Sequence, residues 1–207
     1  MRNLYLAVLI CLSVFTLSAQ KTLPEIAAEY DGSEYNFEEY SNELQGDSWY
    51  DGGQKVTVKA GSSLADRIKN KYAASNAHDF KPDTAWVEGK KDYGIGESIT
   101  FTFEAKSLGH DNYTVRGFRI ANGYVKKREL WSDNSRVKTL KLYADNKAFA
   151  IVKLSDVYGF QTVNFPEVKL SKKKSTAIKL EIVEVYPGSK FQDTSIAEIN
   201  FFGSGIY

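Results

Sequence analysis

Ile99-Thr100-Phe101-Thr102-Phe103 sets an apolar side chain at every second position with a polar one between, the pattern of a strand with one face buried and one face wet. Gln54-Lys55-Val56-Thr57-Val58-Lys59-Ala60 repeats the period, and so does Phe118-Arg119-Ile120-Ala121. Working outward, Val137 to Tyr143, Phe149 to Leu154, Ile178 to Val185 and Ile196 to Phe202 are further strand candidates, parted by segments bearing Gly, Asn, Asp or lysine runs. Past Asn70 no segment carries a helical period. Many short strands joined by turn-rich connections predict an all-β sandwich or barrel. Within Ile178 to Val185 the apolar phase slips from Ile178, Leu180 and Ile182 to Val183 and Val185, which predicts a β-bulge. Lys172-Lys173-Lys174 lies between two strand candidates and reads as a charged turn.

The beginning of the chain reads differently. Arg2 precedes an apolar run from Leu4 to Leu17 that ends in Ser18-Ala19, so residues 1–19 are expected to be a signal peptide and the mature protein to be secreted, periplasmic or displayed at the cell surface. The run is too short for a bilayer span, which needs about 20 apolar residues, and no membrane span is expected once it is removed. The single cysteine, Cys11, lies inside it, which leaves the mature chain without disulfides, thiolate metal sites or a cysteine nucleophile. About 190 residues then remain, room for one domain. Residues 20–47 hold eight acids against Lys21 alone and read as an acidic arm or spacer, with a short helix expected around Pro24 to Glu29; the domain proper spans 48–207. Removing Arg2, Lys21 and those eight acids from the 27 basic and 26 acidic residues leaves 25 and 18, so the body of the protein is net basic. That excess draws acidic surfaces or polyanions, or simply solvates a face. Nucleic acid is not expected as a partner, because the basic residues are not interleaved with aromatics in any recognition motif.

Candidate ligand residues come from the loops. A sugar ring offers C–H groups to an aromatic face while its hydroxyls need directed polar partners, so a glycan site mixes both. Tyr93 in Lys91-Asp92-Tyr93-Gly94, Tyr124 after Asn122-Gly123, and Trp131 in the expected loop Glu129 to Asp133 are the platforms; Glu88, Asn122 and Arg136 are the hydrogen-bonding partners. Trp86 is expected in the core. No catalytic residue is assigned. His78 and His110 show no metal-ligand spacing and no nucleophile elbow, Gly94-Ile95-Gly96 lacks the strand-to-helix context of a dinucleotide loop, and the pair Glu88 and Glu97 is the only hint of glycoside cleavage.

Ser62-Ser63, Asn76-Ala77-His78-Asp79 and Asp83-Thr84-Ala85-Trp86 together resemble the opening of discoidin domains (coagulation-factor type C) and of galactose-binding-like carbohydrate-binding modules. Trp86-Val87-Glu88-Gly89 with Gly94-Ile95-Gly96-Glu97, Phe118-Arg119-Ile120 with Asn122-Gly123-Tyr124, Asn134-Ser135-Arg136-Val137-Lys138, and Tyr186-Pro187-Gly188 with Asp193 to Ile199 resemble the glycan-binding translocation domain fused to some bacterial NAD-glycohydrolases. The resemblance runs roughly from Trp49 to Phe202. It implies a jelly-roll β-sandwich of about eight strands, galactose-binding-domain-like, whose loops at one end bind the ligand; it does not imply NAD hydrolysis, for which the chain has no second domain. It also implies a structural Ca2+ held by the carbonyls of Asn76 and Lys81, the side chain of Asp79, Thr84 through carbonyl and hydroxyl, the carbonyl of Ala197, and Glu198. The alternative is a hydrogen-bonded turn in which Asp79 caps backbone amides and Glu198 pairs with a lysine. Phe80 stands where the family commonly has glycine. The expected function is that of a secreted, non-catalytic carbohydrate-binding module with a glycan or glycoconjugate as partner; a protein-binding or adhesion module on the same fold is the alternative, and a glycan-acting enzyme the least supported.

Overall fold

A computed structural model describes residues 22–36, 54–66, 71–81, 83–109 and 112–205. The expected signal peptide, Cys11, Trp49 and the later part of the acidic arm lie outside the described residues. Ten strands carry the fold: β1 (Glu25–Ala27), β2 (Val56–Ala60), β3 (Trp86–Val87), β4 (Ser98–Phe103), β5 (Thr114–Asn122), β6 (Ser135–Ala144), β7 (Lys147–Lys153), β8 (Phe160–Lys169), β9 (Thr176–Tyr186) and β10 (Thr194–Ser204). One sheet runs β2-β4-β9-β6, with β7 and then β1 beyond β6; the other runs β8-β5-β10, with β3 beyond β10. The two join where β6 pairs in parallel with β10 over Ser135 and Arg136. Beyond that corner β6 takes β7 as its neighbour from Thr139 onward. The all-β sandwich expected from the alternating strands is thus the observed fold.

The core forms because the buried faces of both sheets are aliphatic and aromatic. Phe101, Phe103, Leu140, Leu142, Ile178 and Leu180 meet Phe118, Ile120, Val163, Ile199 and Phe201 in one cluster. Phe201 contacts Phe101 at 5.0 Å and Phe103 at 5.2 Å between ring centroids, both edge-on, which binds one sheet to the other. Fully burying each such side chain contributes about 1.5–3 kcal/mol. Trp86 is fully buried, as expected, and its indole N–H donates to Ser62 O at 2.9 Å. The bulge expected in β9 is present: Leu140 faces Ile182 and Thr139 faces Glu184, so Val183 is skipped and turns outward.

Two expectations fail. The segment around Pro24 to Glu29 is a strand, not a helix: β1 pairs in parallel with β7, and Ile151 N donates to Pro24 O (2.9 Å) while Ala28 N donates to Lys153 O (2.9 Å). Ile26 and Ala28 pack against the core, so an edge to complete outweighs local preference. The stretch Glu129 to Asp133, expected as a loop, belongs to a short helix α1 (Arg128–Asp133) that ends where Asn134 Nδ2 donates back to Leu130 O at 2.8 Å. Six residues are too few to display a helical period.

Candidate functional site

The connection from β5 through α1 to β6 builds one wall of a cavity of about 660 Å3 at one end of the sandwich. Its apolar lining is Leu64, Tyr72, Val87, Tyr124 and Leu130; Lys126, Lys127, Glu129, Asn134 and Asp193 supply polar groups, and Phe191 reaches in from the β9–β10 loop. The volume suits a small organic ligand, and the mixture of rings and charges is what a sugar requires. Phe191 is 46 % exposed, one of few large apolar side chains left in water.

Of the six residues expected to bind ligand, only Tyr124 lines this cavity. It does not project into water as expected: it is 8 % exposed and packs in a small cluster with Tyr72, Val87 and Ala197. Burial raises its pKa, and Tyr72 and Asp83 add to the rise. Asn122, Trp131 and Arg136 stand behind it as a strut. Asn122 is buried; its amide nitrogen donates to Val137 O (2.7 Å) and its oxygen accepts from Val137 N (3.0 Å), which ties the end of β5 to the start of β6. Trp131 Nε1 donates to Asn122 O (2.9 Å). The Arg136 guanidinium lies 4.6 Å from the Trp131 ring centre and holds Asp156 through two bonds, Nε to Oδ1 at 3.0 Å and Nη2 to Oδ2 at 2.8 Å. Its remaining nitrogen donates to the carbonyls of Asn134 (2.9 Å) and Pro187 (3.3 Å). The polar groups of Asn122 and Arg136 are thus taken up by partners within the protein, which fix the ends of β5 and β6. Gly123 sits between them at φ +100°, and a Cβ there would come within 2.6 Å of Trp131 and 2.7 Å of Arg136. No side chain fits, and the backbone conformation is one that L-residues rarely adopt.

Glu88 is turned into the fold, and Tyr93 is tied to it through its backbone. Glu88 is fully buried and accepts Lys90 N (2.7 Å) and Thr194 N (3.2 Å) on its two oxygens. Burial raises its pKa; those two amides pull it part of the way back. Tyr93 is half-buried, and its carbonyl accepts Thr194 Oγ1 at 2.8 Å. The loop they frame uses Gly94 and Gly96 at positive φ, a turn entering β4 as expected. Leu64, Tyr72 and Val87 were not legible as site residues, because nothing local marks them as converging. Lys126, Lys127 and Asp193 carry one usable signal, their closeness in sequence to Tyr124 and to the start of β10.

The other expected site, for a cation, lies where the loop 76–84 meets β10. A 3-10 helix (Ala74–His78) leads into it. Asn76 Nδ2 donates to Lys71 O (2.8 Å) and Ala85 O (3.1 Å) and so closes the loop. Asp79 accepts Lys81 N (3.0 Å) and the Thr84 hydroxyl (3.0 Å), and that hydroxyl also lies 2.8 Å from Lys81 O. Phe80 turns the chain at φ +60°, the conformation that glycine adopts without strain. Ala197 and Glu198 arrive from β10 fully buried. Asp79 thus caps a backbone amide as the hydrogen-bonded alternative has it, but the other half of that alternative fails: both Glu198 oxygens lack a hydrogen-bond partner, and no lysine pairs with it among the described residues. Burial pushes its pKa well above the ordinary glutamate value and the Asp79 charge adds to this; the nearby amides of Phe80, Lys81 and Ile199 offset part of the rise without meeting the carboxylate in well-formed hydrogen bonds. Beside it His78 Nδ1 donates to Ile199 O at 2.7 Å, and burial lowers the imidazole pKa. Two neighbouring carboxylates, one of them unpartnered, with a hydroxyl and loop carbonyls, form an all-oxygen donor set that fits a hard cation such as Ca2+. No cluster of three or more His, Cys, Asp or Glu side chains suited to a metal occurs among the described residues, so the carbonyls have to complete any shell.

No helix among the described residues is long and apolar enough to cross a membrane. No curated protein matches the chain. Among solved structures, the CBM32-1 and CBM32-2 domains of Clostridium perfringens ZmpB align over 91 % of this chain and 43 % of theirs, at 12 % identity and a TM-score of 0.56. The same domains in complex with GalNAc align over 91 % and 42 %, at 11 % identity and 0.54. The chain therefore spans less than half the length of these structures, and the likeness establishes the sandwich fold. The sequence model described as NAD glycohydrolase translocation F5/8 type C domain matches residues 49–202, and the chain belongs to that family.

Proposed function

We propose that this protein is a secreted, non-catalytic glycan-binding module whose ligand enters the cavity lined by Tyr72 and Tyr124. The family and fold are those of a binding module, and the observation that carries the reading is the make-up of that cavity: two tyrosines and Leu130 for the apolar face of a sugar, with Lys127, Glu129 and Asp193 for its hydroxyls. The GalNAc complex of the CBM32 domains supports the choice of ligand class. Tyr124 is the member of the sequence-derived set retained as a contact; Trp131, Asn122 and Arg136 act by fixing its loop. A protein partner at the same end is the second reading, and Phe191, exposed at the cavity, is the observation in its favour.

The test is calorimetric titration with GalNAc and galactose, preceded by a glycan array. Lys127→Ala and Asp193→Ala remove polar side chains without disturbing the core, and each is expected to weaken binding by about tenfold, the value of one lost hydrogen bond to a charged group, with the melting temperature unchanged. An array without any bound glycan, or variants that bind as tightly as the parent, would defeat the proposal.

Calcium is the second part of the proposal. Glu198 and Asp79 would hold it with Thr84 and the carbonyls of Asn76, Lys81 and Ala197, where the ion supplies positive charge and fastens the 76–84 loop to β10. The buried, unpartnered Glu198 carboxylate supports this reading.

A further inference from the structure

The end of the sandwich away from the Tyr124 cavity carries a second concave surface. β5 begins there at Thr114, paired with Lys169 of β8, and reaches the cavity end at Asn122, eight residues and about 27 Å later. β9 likewise starts at Thr176 beside the lysine turn and finishes at Tyr186, opposite Arg136. Between the β4–β5 connection and the β8–β9 turn lies a cleft of about 380 Å3 lined by Lys106, Lys172, Lys173 and Lys174 with Glu104, Ala105 and Ser175. All four lysines are exposed, and Lys55 and Lys169, also exposed, flank the two turns.

The acids nearby offset only part of this charge. Against the four lysines stand Glu104, which accepts the Thr57 hydroxyl at 2.7 Å and keeps its charge, and Asp145, which pairs with Lys174 at 2.9 Å, so the cleft remains net positive. Lys106 and Lys173 make no ion pair among the described residues. Serine hydroxyls pin the two connections, Ala105 N donating to Ser175 Oγ (3.1 Å) and Lys55 N to Ser107 Oγ (2.8 Å), so the lysine side chains are carried on a fixed frame. The charge excess of the body of the protein is thus concentrated, in part, on one cleft.

We propose that this cleft binds an anionic polysaccharide, a chain bearing sulfate or phosphate groups, independently of the cavity at the other end. Lysine ammonium groups on flexible stems follow a polymer of repeated point charges without requiring one fixed geometry. A bilayer is disfavoured because the large exposed apolar side chains among the described residues, Phe80, Ile95, Val183 and Phe191, are all elsewhere, and a membrane-binding end gains affinity from such anchors. Nucleic acid is disfavoured because no aromatic side chain lines the cleft for bases to stack on. The arrangement makes the module two-ended: a polymer held at the lysine cleft leaves the Tyr124 cavity facing away.

Heparin and dextran sulfate are the probes, uncharged dextran the blank, and vesicles of phosphatidylglycerol and single-stranded DNA the rivals. The protein is expected to bind both sulfated polymers in 0.15 M salt and to release them by about 0.5 M, where screening shortens the reach of exposed charges. Lys106→Gln with Lys169→Gln and Lys173→Gln is expected to weaken binding by about tenfold or more, while Lys59→Gln with Lys71→Gln and Lys91→Gln, the same change in net charge at exposed sites elsewhere, changes it by less than about twofold. Equal weakening by the two triple variants would mean net charge alone is read and overturns the site. So does failure to bind either sulfated polymer, or tighter capture by vesicles or DNA.

Discussion

Glu88 and Glu198 are both fully buried beside the first half of β10, yet the fold treats them in opposite ways. Each oxygen of Glu88 receives a backbone N–H, and Gly94 packs so closely that a Cβ there would lie 2.6 Å from the carboxyl carbon. Neither oxygen of Glu198 is met by a well-formed hydrogen bond from the described residues; the amides of Phe80, Lys81 and Ile199 lie close enough only to offset part of its raised pKa, and a second carboxylate, Asp79, raises it further. Burying a carboxylate is costly unless donors replace the lost water. Burial alone therefore does not distinguish a site from a brace; the supply of donors does. Glu88 is a brace between the 88–94 loop and β10, and Glu198 is a buried carboxyl without such a brace, where the proposed cation would supply the missing charge.

The largest expected effect follows from that need. Calcium at 100 times its dissociation constant stabilises the fold by about 2.7 kcal/mol, roughly 5–10 °C in melting temperature for a chain of this size, and Glu198→Gln abolishes the response. A melting temperature indifferent to both millimolar calcium and chelator would sink the cation site. In chelator the difference between parent and variant depends on pH with a definite sign. A carboxyl whose folded pKa is raised contributes full stability below its unfolded value, about 4.3, and loses it as the pH climbs toward the folded value. Glu198→Gln is therefore expected to gain on the parent as the pH rises from about 4. His78 acts in the other direction: its lowered pKa costs stability as the pH falls through about 6.5, and because it is present in both proteins it cancels from the difference.

The opposite result is expected at Glu88. Glu88→Gln presents an amide NH2 to one of the two backbone donors, Lys90 N or Thr194 N, and leaves that donor buried without an acceptor, at a cost of about 1–3 kcal/mol. Denaturant unfolding measures it, in chelator so that the cation site does not contribute. Should the two substitutions shift stability in the same direction by similar amounts, the contrast between them is lost.

How far the sequence exposes these features depends on how local their causes are. β2 and β4 are legible because the alternation that buries them lies within five or six residues, and the β9 bulge because the phase slip is itself in the sequence. β8 escapes because Pro166 interrupts Phe160–Lys169; the structure accepts it because the only bridge on the free side of β8 among the described residues is at Thr162, to Glu29, away from Pro166, and because the pairing with β5 shifts register opposite Val115 and Gly117. The site is harder. Asn122, Trp131 and Arg136 are recognisable as loop-associated polar and aromatic residues, but the groups that occupy them, Val137, Asp156 and the Pro187 carbonyl, come from elsewhere in the chain. Leu64, Tyr72 and Val87 become a cavity wall only after β3 has docked on β10 at Ile196 and Ser195. Glu198 could be singled out only through a family resemblance, since its lack of partners is a property of the folded interior.

Phe80 supplies the smallest and most specific probe of the same region. It holds φ +60° between Asp79 and Lys81, where a Cβ costs roughly 1–2 kcal/mol relative to glycine, and its ring recovers part of that by contact with His78, 5.2 Å between centroids. Phe80→Gly and Phe80→Ala both lose the ring, so the difference between them isolates the backbone strain. The glycine variant is expected to be the more stable of the two by about 1 kcal/mol. If strain in this turn also resists the geometry that a cation requires, the glycine variant binds calcium more tightly than the alanine variant by a factor of the same order, about fivefold. Equal stability of the two variants would show that the turn relaxes when the ring is removed, and that the loop is shaped by Asp79, Thr84 and Asn76 without any contribution from residue 80.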